Sequence, residues 1–276
     1  MSLVDIFNFY NYNIYVMREL KTKIADFFFS IPRVLFVNYF KLFVRIRVFD
    51  HNKIPKDSSA ILAINHTTGA DPIVLLGAVR KNIYFIASSD NFGTRLTNYF
   101  MRRFANSIPI YKKRFMKNAS TFKELFTISR KKNVLFGIYP EGRLNKEGKL
   151  DSFKGGAAYL SYKTRLPIIP VYIHKLRKGV HPDSFIARSN VAEGIISIIA
   201  NTFQRINIFI GDPINPTAEN MIDDFKDFVD AKNYKAALDD INQALLEEFS
   251  GLQEEADDMF SAGDEEDPTH AVPPGG

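Results

Sequence analysis

The run Ala63-Ile64-Asn65-His66-Thr67-Thr68-Gly69-Ala70-Asp71-Pro72 sets an imidazole five residues ahead of a carboxylate. It stands where an apolar stretch gives way to a helical pattern. In a continuous helix that spacing would turn the two side chains about 140° apart. A direct pair therefore needs a bent connection, and Gly69 allows one. A histidine held by a carboxylate commits one ring nitrogen to donation and keeps the other for a proton, the arrangement of a general base. The same residues also have a plainer reading. Asp followed by Pro is a strong helix start, with Asp71 as N-cap and Pro72 in the first turn, and His66 would then bond only to backbone.

A second group lies at Phe136-Gly137-Ile138-Tyr139-Pro140-Glu141-Gly142-Arg143, an apolar run ending in a turn that carries a carboxylate and a guanidinium. Arginine recognises phosphate through paired hydrogen bonds. Taken alone, the group also reads as a β-turn with solvated charges.

The elements that must position these groups follow from hydrophobic periodicity. Phe43 to Phe49 alternates apolar and basic residues, as a half-buried strand does, and Asp50 to Ser59 reads as a loop. Short apolar runs follow at Ala60–Ile64, Ile83–Ala87, Val134–Tyr139, Ile168–Ile173 and Ile206–Ile210. Segments long enough for helices, such as Pro72–Arg80 and Phe92–Arg103, separate them. This alternation predicts an α/β fold, a central mostly parallel or mixed sheet flanked by helices. In such sheets ligands gather where strands end and loops begin. Residues 216–250 read as a helical pair, and the acidic residues 251–276 as a disordered tail.

Composition narrows the functional classes. The 276 residues contain no cysteine, which excludes a disulfide framework, a thiolate metal site and a cysteine nucleophile. Five scattered histidines show no metal spacing, so neither a metal nor a tightly held cofactor is expected. The net charge of +5 conceals a division: residues 1–210 carry 33 Lys and Arg against 13 Asp and Glu, whereas residues 211–276 carry 3 against 18. A body this basic suits anionic lipid, nucleic acid or phosphorylated substrates.

Residues 1–42 are rich in aromatics interrupted by charges such as Arg18, Lys21, Asp26, Arg33 and Lys41. No stretch reaches the roughly 20 apolar residues of a spanning helix, and no signal-peptide pattern is present. Rings interleaved with cations predict an N-terminal amphipathic helical region lying in a membrane interface. An ordinary amphipathic helix packed on the domain is the alternative.

Together these residues resemble the glycerolipid acyltransferases, including the lysophosphatidic acid acyltransferases. The family's Asn-His-x4-Asp motif stands intact as Asn65, His66 and Asp71. Its Pro-Glu-Gly-Thr-Arg-Ser motif is represented by Pro140-Glu141-Gly142-Arg143-Leu144-Asn145, with the arginine two residues after the glutamate instead of three. Phe153-Lys154-Gly155-Gly156-Ala157 resembles the Phe-Lys-x-Gly-Ala segment, and Leu166–Val171 the fourth motif. The second motif, commonly Gly-x-x-x-x-Asp-Arg, is reduced to Ser107-Ile108-Pro109-Ile110-Tyr111-Lys112-Lys113-Arg114. In order, the likeness covers about residues 43–215, an acyltransferase core.

The resemblance implies transfer of an acyl group from an acyl-CoA or acyl carrier protein thioester to a lysophospholipid hydroxyl, with 1-acylglycerol 3-phosphate as the foremost acceptor. It implies His66 as general base oriented by Asp71, and Asn65, Glu141, Gly142, Arg143 and Lys154 at the substrate, with Lys112 or Arg114 supplying a further cation. The implied location is the cytoplasmic face of a membrane, peripheral or monotopic, with the lipid surface as partner and no nucleic acid. A non-catalytic lipid-binding protein on the same fold is the competing reading. A nucleic-acid binder is disfavoured, since no recognition helix or zinc spacing is found.

Overall fold

The computed structural model describes residues 34–35, 38–39, 42–79, 81–111, 115–131, 133–145, 153–174, 176, 190–216 and 231–261. Seven strands form one sheet: β1 (Arg45–Phe49), β2 (Ala60–Ile64), β3 (Asn82–Ser88), β4 (Ser107–Ile110), β5 (Val134–Ile138), β6 (Ile168–His174) and β7 (Arg205–Ile210). Their order is β1-β7-β6-β2-β5-β3-β4. All neighbours run parallel except β6 and β7, which run antiparallel, so the sheet is mixed.

Every residue of β2, β5 and β6 is buried, because helices cover both faces of the sheet centre. The two-residue period of a strand divides β2 between two cores: Leu62 and Ile64 point to one, Ile61 and Ala63 to the other. Against the first face lie α1 (Asp71–Ala78), through Val74 and Leu75, and α5 (Asn190–Ala200), through Ile198. Against the second lie α3 (Phe115–Ser129), through Leu125 and Ile128, and α4 (Gly156–Thr164), through Ala157 and Leu160. The same face takes α6 (Ala231–Ser261), through Ile241, Leu245, Phe249, Leu252 and Ala256. The remaining helix, α2 (Arg95–Tyr99), leads into a π-helical turn over Phe100–Phe104 before β4.

Two expectations change. Strand β4 was not expected: it is a four-residue edge strand paired only with β3, where Pro109 is tolerated because one side of the strand has no neighbour to bond. The acidic C-terminal region does not lose order at Ser250, since α6 continues to Ser261 and seats Leu252 and Ala256 on the sheet. Those apolar residues recur at helical spacing between Glu254, Glu255, Asp257 and Asp258, so the charges occupy the outer face. The amphipathic region expected over residues 1–42 falls mostly outside the described residues, as do residues 262–276 and the first half of the helical pair expected over 216–250. Among the described residues no helix is long and apolar enough to cross a membrane.

Candidate active site

The His66–Asp71 pair forms. Strand β2 ends at Ile64, the chain bends through Thr67–Ala70, and α1 begins at Asp71, so the carboxylate returns toward the imidazole it follows in sequence. His66 Nδ1 lies 2.9 Å from Asp71 Oδ2. Asp71 is completely buried and is not the N-cap, which is Ala70. Its carboxylate accepts from the Thr67 backbone N–H at 2.9 Å, the Thr68 N–H at 3.1 Å and the Thr68 hydroxyl at 2.9 Å. The Thr68 hydroxyl accepts in turn from Ala70 N–H at 3.1 Å. A buried charge of this kind is tolerable only when its lone pairs are occupied. The donors leave Asp71 one orientation, and through it the imidazole has one as well. Among the described residues nothing bonds His66 Nε2, and the side chain retains 20% of its exposure.

The second group docks onto the first. Tyr139-Pro140-Glu141-Gly142 makes a turn closed by Gly142 N–H donating to Tyr139 O at 3.0 Å. Gly142 adopts φ +64°, a left-handed conformation that favours glycine, and the flexible Lys154 side chain lies across it, 2.8 Å from where a Cβ would stand. Glu141, expected at the substrate, is 2% exposed and accepts from the His66 backbone N–H through Oε1 at 3.1 Å. Asn145 N–H donates to His66 O at 2.6 Å. The backbone of His66 is thus held on both sides by the 141–145 segment. Asn65, likewise expected at the substrate, is engaged within the sheet. Its side chain is buried and bonds the neighbouring strand, donating to Ile173 O at 3.0 Å and accepting from Ile173 N–H at 2.8 Å. An amide engaged this way fixes the end of β2 against β6.

Arg143 and Lys154 are exposed beside this turn. Lys154 N–H donates to Pro140 O at 2.7 Å, and its side chain passes over Gly142. Lys112 and Arg114 lie outside the described residues.

Two contributors were not among the expected site residues. Thr68 completes the Asp71 shell, and Tyr139 stacks its ring on the His66 imidazole with centroids 3.9 Å apart and planes inclined by 25°. Burial, and secondarily the Asp71 charge, push the Tyr139 phenol well above its ordinary range, so it stays neutral. Spacing alone could have found Thr68, which lies three residues before Asp71 in an N-terminal turn; the Tyr139 contact crosses between strands.

Over residues 45–174 the chain matches the family model described as Acyltransferase. It is 23% identical over 185 residues to a Mycoplasma pneumoniae protein named "Probable 1-acyl-sn-glycerol-3-phosphate acyltransferase", covering 65% of each. With the human 1-acyl-sn-glycerol-3-phosphate acyltransferase beta it shares 27% over 138 residues, 49% of each. The chain therefore spans about half to two thirds of the length of these curated relatives. The crystal structure of the 1-acyl-sn-glycerophosphate acyltransferase PlsC from Thermotoga maritima aligns with a TM-score of 0.49 and 18% identity, over 91% of this chain and 95% of that one.

Proposed function

We propose, from the match of residues 45–174 to the acyltransferase family model, that this chain is an O-acyltransferase. It moves a fatty acyl group from an acyl thioester to a hydroxyl of a lysophospholipid, with 1-acylglycerol 3-phosphate as the acceptor. The observation that carries the reading is the His66 Nδ1 to Asp71 contact of 2.9 Å, with Nε2 unbonded among the described residues.

In this reaction His66 Nε2 takes the proton of the acceptor hydroxyl as its oxygen attacks the thioester carbonyl. The carbon–sulfur bond then breaks, and the imidazolium returns the proton to the departing thiolate. An ester and a free thiol result, with no acyl-enzyme. Asp71 holds the tautomer and offsets the charge that develops on the ring. General-base action of this sort contributes roughly 10²–10⁴-fold. Holding the hydroxyl against the thioester supplies much of the remainder.

Arg143 and Lys154 take the acceptor phosphate, with Lys112 or Arg114 as a further cation and Gly142 permitting close approach of backbone. Glu141 and Asn65 act one step back, by fixing the His66 backbone and the end of β2. The donor is acyl-CoA or acyl carrier protein. Residues 1–42 rest in the interface of the cytoplasmic leaflet, where acyl chains stay in lipid and water is kept from the thioester.

The test is release of free thiol from long-chain acyl-CoA in mixed micelles, with and without 1-acylglycerol 3-phosphate, beside His66→Ala. Acceptor-dependent release that disappears in the variant supports the reading. Release that survives the variant removes His66 from the mechanism. No release with acyl-CoA or acyl carrier protein donors, across several lysolipids, leaves the lipid-binding alternative.

A further inference from the structure

Six of the seven exposed large apolar side chains among the described residues fall in two short segments: Val34, Leu35, Tyr39 and Leu42 in one, Ile199 and Phe203 in the other. The segments adjoin. Phe203 N–H donates to Phe43 O at 2.8 Å, the Phe43 and Phe203 rings meet edge to face at 5.8 Å, and Tyr39 lies 4.6 Å from Phe43. Phe203 is the telling member. It has a positive φ of 67° and is 72% exposed. A bulky side chain in the left-handed region is strained, and Asn or Gly would fill that position more comfortably. Strain and exposure together at one aromatic point to a use outside the fold.

The position of the patch gives it a direction. Ile64, at the end of β2, pairs with Val171, which pairs with Ile210. Because β7 runs antiparallel to β6, its first residue, Arg205, lies five residues beyond that level on the edge that carries His66. That distance is about 16 Å along the strand, and β7 itself is two strands, about 10 Å, to the side. Helix α5 links the two places: a Cβ on Gly194 would lie 2.9 Å from Gly69 O in the His66–Asp71 loop, and Ile199 follows five residues later. The rim is basic. Arg45 and Arg205 pair in register at the start of β1 and β7, Arg47 follows, and all three are exposed with no ion-pair partner among the described residues. The nearest acids along these strands, Asp50 and Asp212, are at the opposite ends and bound to Lys53.

We infer that the Leu42–Arg47 segment and the Ile199–Arg205 turn form a seat for an anionic lipid bilayer carried by the catalytic core itself. This rests on the acyl-transfer reading for its purpose and extends the lipid contact beyond the N-terminal region. The apolar side chains enter the headgroup boundary, the arginines meet anionic lipid, and the edge of the sheet that carries His66 faces the leaflet that holds the acceptor.

Flotation of the full chain with phosphatidylcholine vesicles, with and without added phosphatidylserine, tests the seat. Phe203→Asn suits the backbone and removes the ring. Its thermal unfolding and its thiol release in detergent micelles should match wild type, while its partition onto anionic vesicles falls about tenfold or more, the transfer worth of one aromatic side chain. Arg45→Gln with Arg205→Gln should erase the preference for anionic vesicles. Wild-type vesicle binding by Phe203→Asn overturns the seat and leaves the acyl-transfer reading untouched. A dimer that Phe203→Asn dissociates, with vesicle binding unchanged, overturns it in favour of a contact between copies. Loss of vesicle binding in Phe203→Asn from a wild type that releases no thiol upholds the seat and defeats the acyl-transfer reading.

Discussion

Tyr139 and Thr68 are the residues whose substitution separates positioning from chemistry. The Tyr139 hydroxyl is buried with no bonding partner among the described residues, whereas its ring lies flat on His66. Tyr139→Phe should therefore keep turnover and hold or raise stability. Tyr139→Leu, which frees the imidazole to rotate, should lower kcat about tenfold with little change in KM, a loss of about 1.4 kcal/mol in the transition state alone. Steady-state kinetics on the three proteins decides it. Thr68→Val removes the hydroxyl between Asp71 and Ala70 at nearly constant volume, so urea unfolding should show a cost of about 1–3 kcal/mol, with turnover reduced as Asp71 loosens. The His66–Asp71 pair was legible as one of two readings: Gly69 allowed the bend that a direct pair needs, and the Asn-His-x4-Asp resemblance favoured the pair over a helix cap. Glu141 was not, since a carboxylate beside an arginine in a turn looks solvent-facing until the His66 backbone is found against it.

Among the elements, the strands were legible where burial on both faces forces an unbroken apolar run, as in β2, β5 and β6. Edge strand β4 escaped because Pro109 and a length of four residues give no such run. The far half of α6 escaped because its sequence is dominated by the face that stays in water. Phe249 is fully buried there, in edge contact with Phe153 at 5.2 Å. Phe249→Ala should cost about 3–5 kcal/mol. Ending the chain after Ser250 should lower the unfolding midpoint as well, because Leu252, Ala256 and Phe260 are then lost from the sheet. A thermal melt that does not change on truncation would mean that the helix end is not part of the folded unit.

At the scale of the molecule, α6 returns acidic side chains to a basic body, and one consequence is a pH dependence. Tyr172 on β6 has its phenol raised to about 12, first by burial and then by the Asp257 charge from α6. An unfolded tyrosine ionises near pH 10. The preference of the fold for the neutral phenol is therefore fully present below pH 10 and lost as the pH rises toward 12, at up to about 1.4 kcal/mol per pH unit. Urea unfolding at pH 9 and pH 11.5 should show a steeper alkaline decline for wild type than for Tyr172→Phe. The mixed topology of the sheet was legible only as a class, because no periodicity tells a strand which way its neighbour runs. The hydrogen bonds on the two sides of the His66 backbone, its N–H donating to Glu141 and its carbonyl accepting from Asn145, carry a different consequence, for engineering. Exchanging residues 140–145 would move His66 along with the turn, so effects at positions 66, 141 and 145 should be strongly epistatic, and grafts succeed only when both loops travel together.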